Sequence, residues 1–239
     1  MKHQYPLITA HSGCEGTADN SMASIEAAIA LGADCAEIDV HVDGGGRLWL
    51  THDAPERFDG LVALEEAFAR VRESGIGVNC DIKRHAVLYP TLALAERVGV
   101  PRDQLILSGA VGVQLLREDA GIARRARVFL NIEELAAELL PGHEEDYITL
   151  GAFLLKNPAL VVARLRALGA EALNAPYRYT DDAIIEALGA EGVALSLWTI
   201  DDANDLRAFM GMEPLNITTR NVRGALAARR SVASGNRVS

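Results

Sequence analysis

The sequence predicts an α/β protein built as a single TIM (β/α)8 barrel, and three observations lead there. Short apolar runs alternate with longer helical patterns along the whole chain, which implies a parallel sheet clothed by helices. About eight such units fit into 239 residues with no Pro/Gly/Ser-rich linker between them, the span of one lean barrel. The competing open, doubly wound sheet would carry a GxGxxG turn after its first strand, and the sequence has none there.

Taken in order, the strand candidates are LITAH (7–11), CAEIDVHV (35–42), RLWLTHD (47–53), GVNCDIK (77–83), QLILSGA (104–110), ARVFLNI (126–132), EALNAP (171–176), VALSLWTI (193–200) and LNITT (215–219). CAEIDVHV and RLWLTHD are separated only by DGGG, so they read as one unit extended by a tight hairpin. Helical patterns lie between most strands: SMASIEAAIALG, GLVALEEAFARVRES, YPTLALAERVG, GVQLLREDA, NPALVVARLRALG, TDDAIIEALGAEG and DDANDLRAFMG. Gly32, Gly75, Gly99, Gly169 and Gly189 fall where helix C-caps are expected. Residues 1–230 are expected to form the barrel, and SVASGNRVS (231–239) a flexible tail.

Composition narrows the function. Hydrophobic residues make up 49% and charged residues 23%, enough for a large core. A formal net charge of −10 argues against a nucleic-acid partner, because a phosphate backbone rewards a basic face. It leaves room for a small phosphate-bearing substrate, since a bound cation reverses the local sign. Cys14, Cys35 and Cys80 are odd in number and lack CxxC spacing, so they read as buried thiols in a reducing compartment. No signal-peptide core opens the chain and no run approaches the ~20 apolar residues of a membrane span. A cytoplasmic protein with no stable membrane association is the expectation.

The polar residues within the strands carry the chemistry. Alternation puts Ala36, Ile38 and Val40 on one face of CAEIDV and Glu37 with Asp39 on the other, toward the barrel interior. In GVNCDIK the same rule groups Asn79, Asp81 and Lys83. His11 ends the first strand on the face of Leu7 and Thr9, and His52 shares a face with Leu48 and Leu50. Each lies at or near the C-terminal end of its strand, where barrel active sites form. One ExD pair is commonly a solvated edge and one histidine commonly a satisfied core residue; four strands each presenting a polar group in one layer point to a site. Carboxylates gathered in a barrel need a counter-charge. All-oxygen ligation by Glu37, Asp39 and Asp81 suits a hard divalent metal, Mg²⁺ or Ca²⁺. Two histidines beside it supply groups that titrate near neutrality, which together suggest attack on a phosphoryl group. His41 shares the Glu37/Asp39 face further along the hairpin, while His3, His85 and His143 fall in terminal or loop contexts.

At these residues the sequence resembles the glycerophosphodiester phosphodiesterase family, a family of TIM barrels. That family opens with His-Arg-Gly, continues with Glu-Asn, Glu-x-Asp and His-Asp, and later carries a Glu-x-Lys strand. The matching letters here are His11-Ser12-Gly13, Asp19-Asn20, Glu37-Ile38-Asp39, His52-Asp53 and Asp81-Ile82-Lys83. LWTID (197–201) and ITTRN (217–221) look like the family's Trp-Thr-Val-Asn and Ile-Thr-Asp-Arg-Pro segments. The resemblance spans residues 7 to about 226. It implies His11 and His52 as an acid–base pair, Glu37, Asp39 and Asp81 as metal ligands, Lys83 near the phosphate, and Trp198 lining the pocket. It also implies cleavage by the substrate's own neighbouring hydroxyl through a cyclic phosphate that water opens.

The departures are specific. Ser12 stands where the family has a phosphate-binding arginine, so its hydroxyl is the substrate contact expected at that position. Asp81 is a methylene shorter than glutamate. Only APERFDG separates Asp53 from the next helix, so the family's cap insertion is much reduced. An open pocket, or one completed by a second subunit of a homo-oligomer, follows. Three readings are therefore expected, in this order: a glycerophosphodiester phosphodiesterase, a lysophospholipase-D-like or other phosphodiesterase on the same barrel, and a non-catalytic binder of phosphate ligands.

Overall fold

A computed structural model of the protein describes residues 5–235. The elements are β1 (Leu7–Ala10), α1 (Met22–Leu31), β2 (Cys35–Val42), β3 (Leu48–Leu50), α2 (Leu64–Ser74), β4 (Gly77–Ile82), α3 (His85–Val98), β5 (Leu105–Gly109), α4 (Val113–Glu118) and α5 (Gly121–Arg125). They continue with β6 (Arg127–Asn131), α6 (Ile132–Leu139), α7 (Tyr147–Lys156), α8 (Pro158–Leu168), β7 (Ala172–Pro176), α9 (Asp182–Ala190), β8 (Leu195–Trp198), α10 (Ala203–Gly211), β9 (Asn216–Thr219) and α11 (Val222–Ala233).

Eight strands run parallel and close on themselves, in the order β1, β9, β8, β7, β6, β5, β4, β2, with β1 pairing back to β2. The chain is a TIM (β/α)8 barrel. Strand β3 is the ninth: it pairs antiparallel with the far end of β2, Val42 opposite Leu48, through the DGGG turn. It ends at Leu50, so Thr51, His52 and Asp53 belong to the loop beyond it rather than to a strand. The loop 51–63 runs straight into α2, and no capping subdomain interrupts it.

Side-chain alternation sorts the barrel into an outer apolar shell and a graded interior. On β2, Ala36, Ile38 and Val40 are buried against the helices. The inward set changes character from bottom to top. At the strand starts Cys35, Ile106, Phe129 and Ala172 form an apolar plug. Above it lies a belt of small polar side chains that satisfy one another, as burial requires. Thr9 Oγ1 donates to Asn216 Oδ1 (2.7 Å), Asn216 Nδ2 donates to Ser196 Oγ (3.0 Å), and Ser108 Oγ donates to Asn79 Oδ1 (3.0 Å). At the strand ends the interior becomes ionic.

The helices depart from the sequence expectation where boundaries are chemically silent. Helix α3 begins at His85 and takes Pro90 into its body, and α6 follows β6 with no break, because ARVFLNI runs directly into IEELAAEL. Helices α6, α7 and α8 together fill the connection from β6 to β7. Gly32, Gly75, Gly99 and Gly169 hold left-handed C-caps, whereas Gly189 lies inside α9. Helix α11 continues to Ala233, past the expected start of the tail; residues 236–239, and His3, lie outside the described residues. Among the described residues no single helix is long and apolar enough to cross a membrane.

Candidate active site

The C-terminal mouth of the barrel opens into a cavity of about 310 Å³, lined among others by His11, Glu37, Asp39, His52, Asp81, Lys83, Trp198 and Arg220. Seven of the eight side chains proposed from sequence meet here: Glu37, Asp39, Asp81 and Trp198 from β2, β4 and β8, His11 and Lys83 from the residues just past β1 and β4, and His52 from the loop after β3.

Register brings the carboxylates together. On the neighbouring strands β2 and β4, Glu37 lies beside Asn79 and Asp39 beside Asp81. One oxygen from each of Glu37, Asp39 and Asp81 falls within 4.8 Å of the others. Asp81 reaches the cluster across Gly109, whose missing Cβ would sit 1.9 Å from Asp81 Oδ1. Asn20 holds Asp39 from two sides: its Nδ2 donates to Asp39 Oδ2 (2.7 Å) and its Oδ1 accepts the Asp39 main-chain N–H (2.9 Å). Lys83 Nζ lies 2.7 Å from both Asp39 Oδ1 and Asp81 Oδ2.

The charges are unbalanced, with three carboxylates against the Lys83 ammonium and, on the pocket wall, the Arg220 guanidinium. Burial, joined by the neighbouring Asp39 and Asp81 charges, pushes the Glu37 carboxyl well above the usual range. Burial also opposes ionisation of Asp39, but the Lys83 ammonium and the Asn20 amide outweigh it and hold that group below its ordinary value. Burial works against the Lys83 charge, yet Asp81 and Asp39 raise its pKa. An all-oxygen donor set with surplus negative charge fits a hard divalent cation.

Each histidine is oriented by one ring nitrogen. His11 Nδ1 lies 2.8 Å from the Ser12 carbonyl, which can only accept, so Nδ1 carries a proton and Nε2 is the basic atom. Burial, reinforced by Arg220, lowers the His11 pKa despite that hydrogen bond, which favours the neutral ring. His52 Nδ1 lies 2.9 Å from Asp53 Oδ1, and its side chain is 68% exposed. His41, on the inward face of β2, is buried and does not line the cavity; its Nε2 lies 3.0 Å from the His52 carbonyl.

Ser12 departs from its expected role. It is 1% exposed, its hydroxyl accepts the Asn20 main-chain N–H, and its own N–H donates to Glu37 Oε2 (2.9 Å). The cavity wall excludes it. Asn79, grouped with Asp81 and Lys83 by alternation, lines the pocket too, and Ser108, Asn131, Asn174, Thr199, Thr218 and Arg220 do so without having been singled out from sequence. Except for Thr199, which directly follows the inward Trp198, their signal was the same period of two: Asn216, Thr218 and Arg220 alternate inward just as Glu37 and Asp39 do.

No family model matches the sequence, and no curated protein matches it. Solved structures do. A glycerophosphodiester phosphodiesterase from Parabacteroides distasonis superposes with a TM-score of 0.73 at 18% identity, over 96% of this chain and 98% of that one. The chain shares the fold of glycerophosphodiester phosphodiesterases. The Thermotoga maritima glycerophosphodiester phosphodiesterase gives 0.66 at 19% identity, over 95% of this chain and 99% of that one. An Oleispira antarctica phosphodiesterase, in complex with the product sn-glycerol-3-phosphate, gives 0.71 at 19% identity, over 95% and 98%.

Proposed function

We propose that this chain is a divalent-metal-dependent phosphodiesterase that hydrolyses glycerophosphodiesters to glycerol 3-phosphate and an alcohol. The observation that carries the reading is the meeting, at one barrel mouth, of three carboxylates with two imidazoles that each tether Nδ1 and leave Nε2 for proton transfer. The fold shared with glycerophosphodiester phosphodiesterases, and the glycerol phosphate held by the Oleispira protein, support a small phosphodiester as substrate. Three free, buried cysteines are in keeping with a reducing, cytoplasmic setting.

Glu37, Asp39 and Asp81 would hold Mg²⁺ or Ca²⁺, which supplies charge neutralisation at the non-bridging phosphoryl oxygens. Asn20 fixes the Asp39 carboxylate for that role. His11 and His52 exchange the protons: one imidazole takes the proton of the attacking hydroxyl as its oxygen bonds phosphorus. The other protonates the alcohol oxygen as its P–O bond breaks. A second passage with water as attacking group reverses those parts and releases glycerol 3-phosphate. Trp198 forms an apolar wall at the end of β8. The uncapped loop 51–63 favours tolerance of bulkier head groups, so a lysophospholipase-D-like preference is the second reading.

The test is release of glycerol 3-phosphate from glycerophosphocholine by purified protein, with EDTA and with Mg²⁺ or Ca²⁺ restored. His11→Ala and His52→Ala should each lower kcat by about 10²–10⁴-fold. Turnover indifferent to chelation and to both substitutions would sink the mechanism. A panel of lysophospholipids and short-chain diesters decides between the two substrate readings.

A further inference from the structure

The resemblance leaves one function without a residue: at position 12 the chain has serine, and that serine is turned into the protein. Beside a bound metal, the cationic side chains that line the pocket are Lys83 and Arg220. Lys83 lines the pocket, but its ammonium is engaged by Asp39 and Asp81 at 2.7 Å each. Arg220 is differently placed. It follows the last residue of β9, beside β1, where His11 N–H donates to the Thr219 carbonyl (2.8 Å). Asp201 pins its main chain, accepting the Arg220 N–H at 2.6 Å and the Thr219 hydroxyl at 3.2 Å.

The side chain is anchored by its stem and open at its tip. Arg220 Nε donates to the main-chain carbonyl of Ser12 at 3.1 Å. Its terminal Nη2 has Asp19 Oδ1 at 3.8 Å, beyond hydrogen-bond length, and the side chain is 44% exposed. Immobilising a long arginine costs rotamer entropy, which one hydrogen bond to a carbonyl offsets incompletely. A guanidinium held at Nε in a pocket wall, its terminal nitrogens facing Asp19 at ion-pair distance but making no hydrogen bond among the described residues, is preorganised for an oxyanion.

We propose that Arg220 grips the phosphoryl group of the substrate, its guanidinium docking on the backbone of Ser12 and delivering from β9 the charge that the serine does not carry. This rests on the phosphodiesterase reading for the identity of the ligand, a phosphate ester. The contact itself requires only that the pocket take a phosphate. Arg220 touches substrate at the non-bridging oxygens and moves no proton.

The experiment compares wild type with Arg220→Gln, Arg220→Lys and, as a charge-matched control, Arg223→Gln, whose arginine pairs with Glu15 outside the pocket. Calorimetric titration with sn-glycerol 3-phosphate and with inorganic phosphate, in saturating Mg²⁺, should show Arg220→Gln weakened about 10- to 100-fold. Arg220→Lys should recover part of the loss, and Arg223→Gln should bind as wild type. Mg²⁺ affinity without phosphate should stay within about twofold across the set, which separates lost contact from a collapsed site. A readout independent of any variant is phenylglyoxal labelling of wild type, where glycerol 3-phosphate should protect Arg220 and leave Arg223 reactive. Equal binding by Arg220→Gln, unprotected Arg220, or a wild type that binds neither ligand would each overturn the assignment. A wild type that binds through Arg220 yet turns over no diester would overturn the phosphodiesterase reading and leave the grip standing.

Discussion

His41 Nε2 lies 3.0 Å from the main-chain carbonyl of His52. A carbonyl only accepts, so His41 donates, and a buried side chain on β2 thereby fixes the backbone that carries an exposed histidine in a loop. This is a positioning role: His41 itself does not line the cavity.

Replacing His41 by Phe keeps the volume and deletes the donor. The expected outcome is a fall in kcat of about 10-fold with KM little changed, from loss of alignment at His52. In the His52→Ala background the same change should cost nothing further in kcat, a coupling that a merely structural role would not produce. Additive losses in the double variant would count against it.

Gly109 has a φ of +73° and stands against Asp81, with a Cβ placed 1.9 Å from Asp81 Oδ1 and 2.6 Å from the Ile82 carbonyl. Gly109→Ala should destabilise by about 1–3 kcal/mol and displace a candidate ligand, weakening divalent-metal affinity about 10- to 100-fold. Gly60→Ala, at φ +81° with nothing near its Cβ, is the control for backbone strain alone. Thermal melts and metal titration compare the two; equal effects would show that Asp81 does not depend on the gap.

Asn20 combines a left-handed φ of 52° with both contacts to Asp39. Asn20→Gly should preserve the backbone conformation and lose the amide, leaving stability near wild type while metal affinity drops about 10-fold. Asn20→Ala should add about 1 kcal/mol of destabilisation for the left-handed residue. Unchanged metal affinity in the glycine variant would remove Asn20 from the site.

Glu133, on α6, accepts from Tyr147 Oη through Oε1 while its buried Oε2 has no hydrogen-bond partner among the described residues. Burial raises its pKa above the ordinary value. The folded state therefore holds this proton more tightly than the unfolded chain, so the contribution is fullest below the unfolded pKa and is lost as pH rises through the folded value. Glu133→Gln should raise stability by about 1 kcal/mol at pH 7.5 and do less at pH 4.5. Denaturant unfolding at both pH values measures this, and a larger gain at the lower pH would reverse the assigned sign.

Much of the site was legible because a barrel strand has a period of two and a polarity. Glu37, Asp39, Asp81 and Lys83 sit inward at strand ends, and alternation along CAEIDV and GVNCDIK is enough to place them there. His52 was legible as a residue but not as strand: β3 ends at Leu50, and the turn that follows carries no signal of its own. Ser12 misled because a motif position states where a residue lies in the chain and not which way its hydroxyl faces.

The sequence by itself determined the strand–helix alternation, the inward face of each strand and the placing of carboxylates at the strand ends, since these depend on neighbours a few residues apart. Tertiary structure decided what depends on register and closure. Asp39 meets Asp81 because β2 lies beside β4, His41 holds His52 across a hairpin, and Arg220 reaches Ser12 because β9 closes against β1. No local pattern encodes a contact between the two ends of a chain; only the closed hydrogen-bonded ring of strands brings them within 3.1 Å.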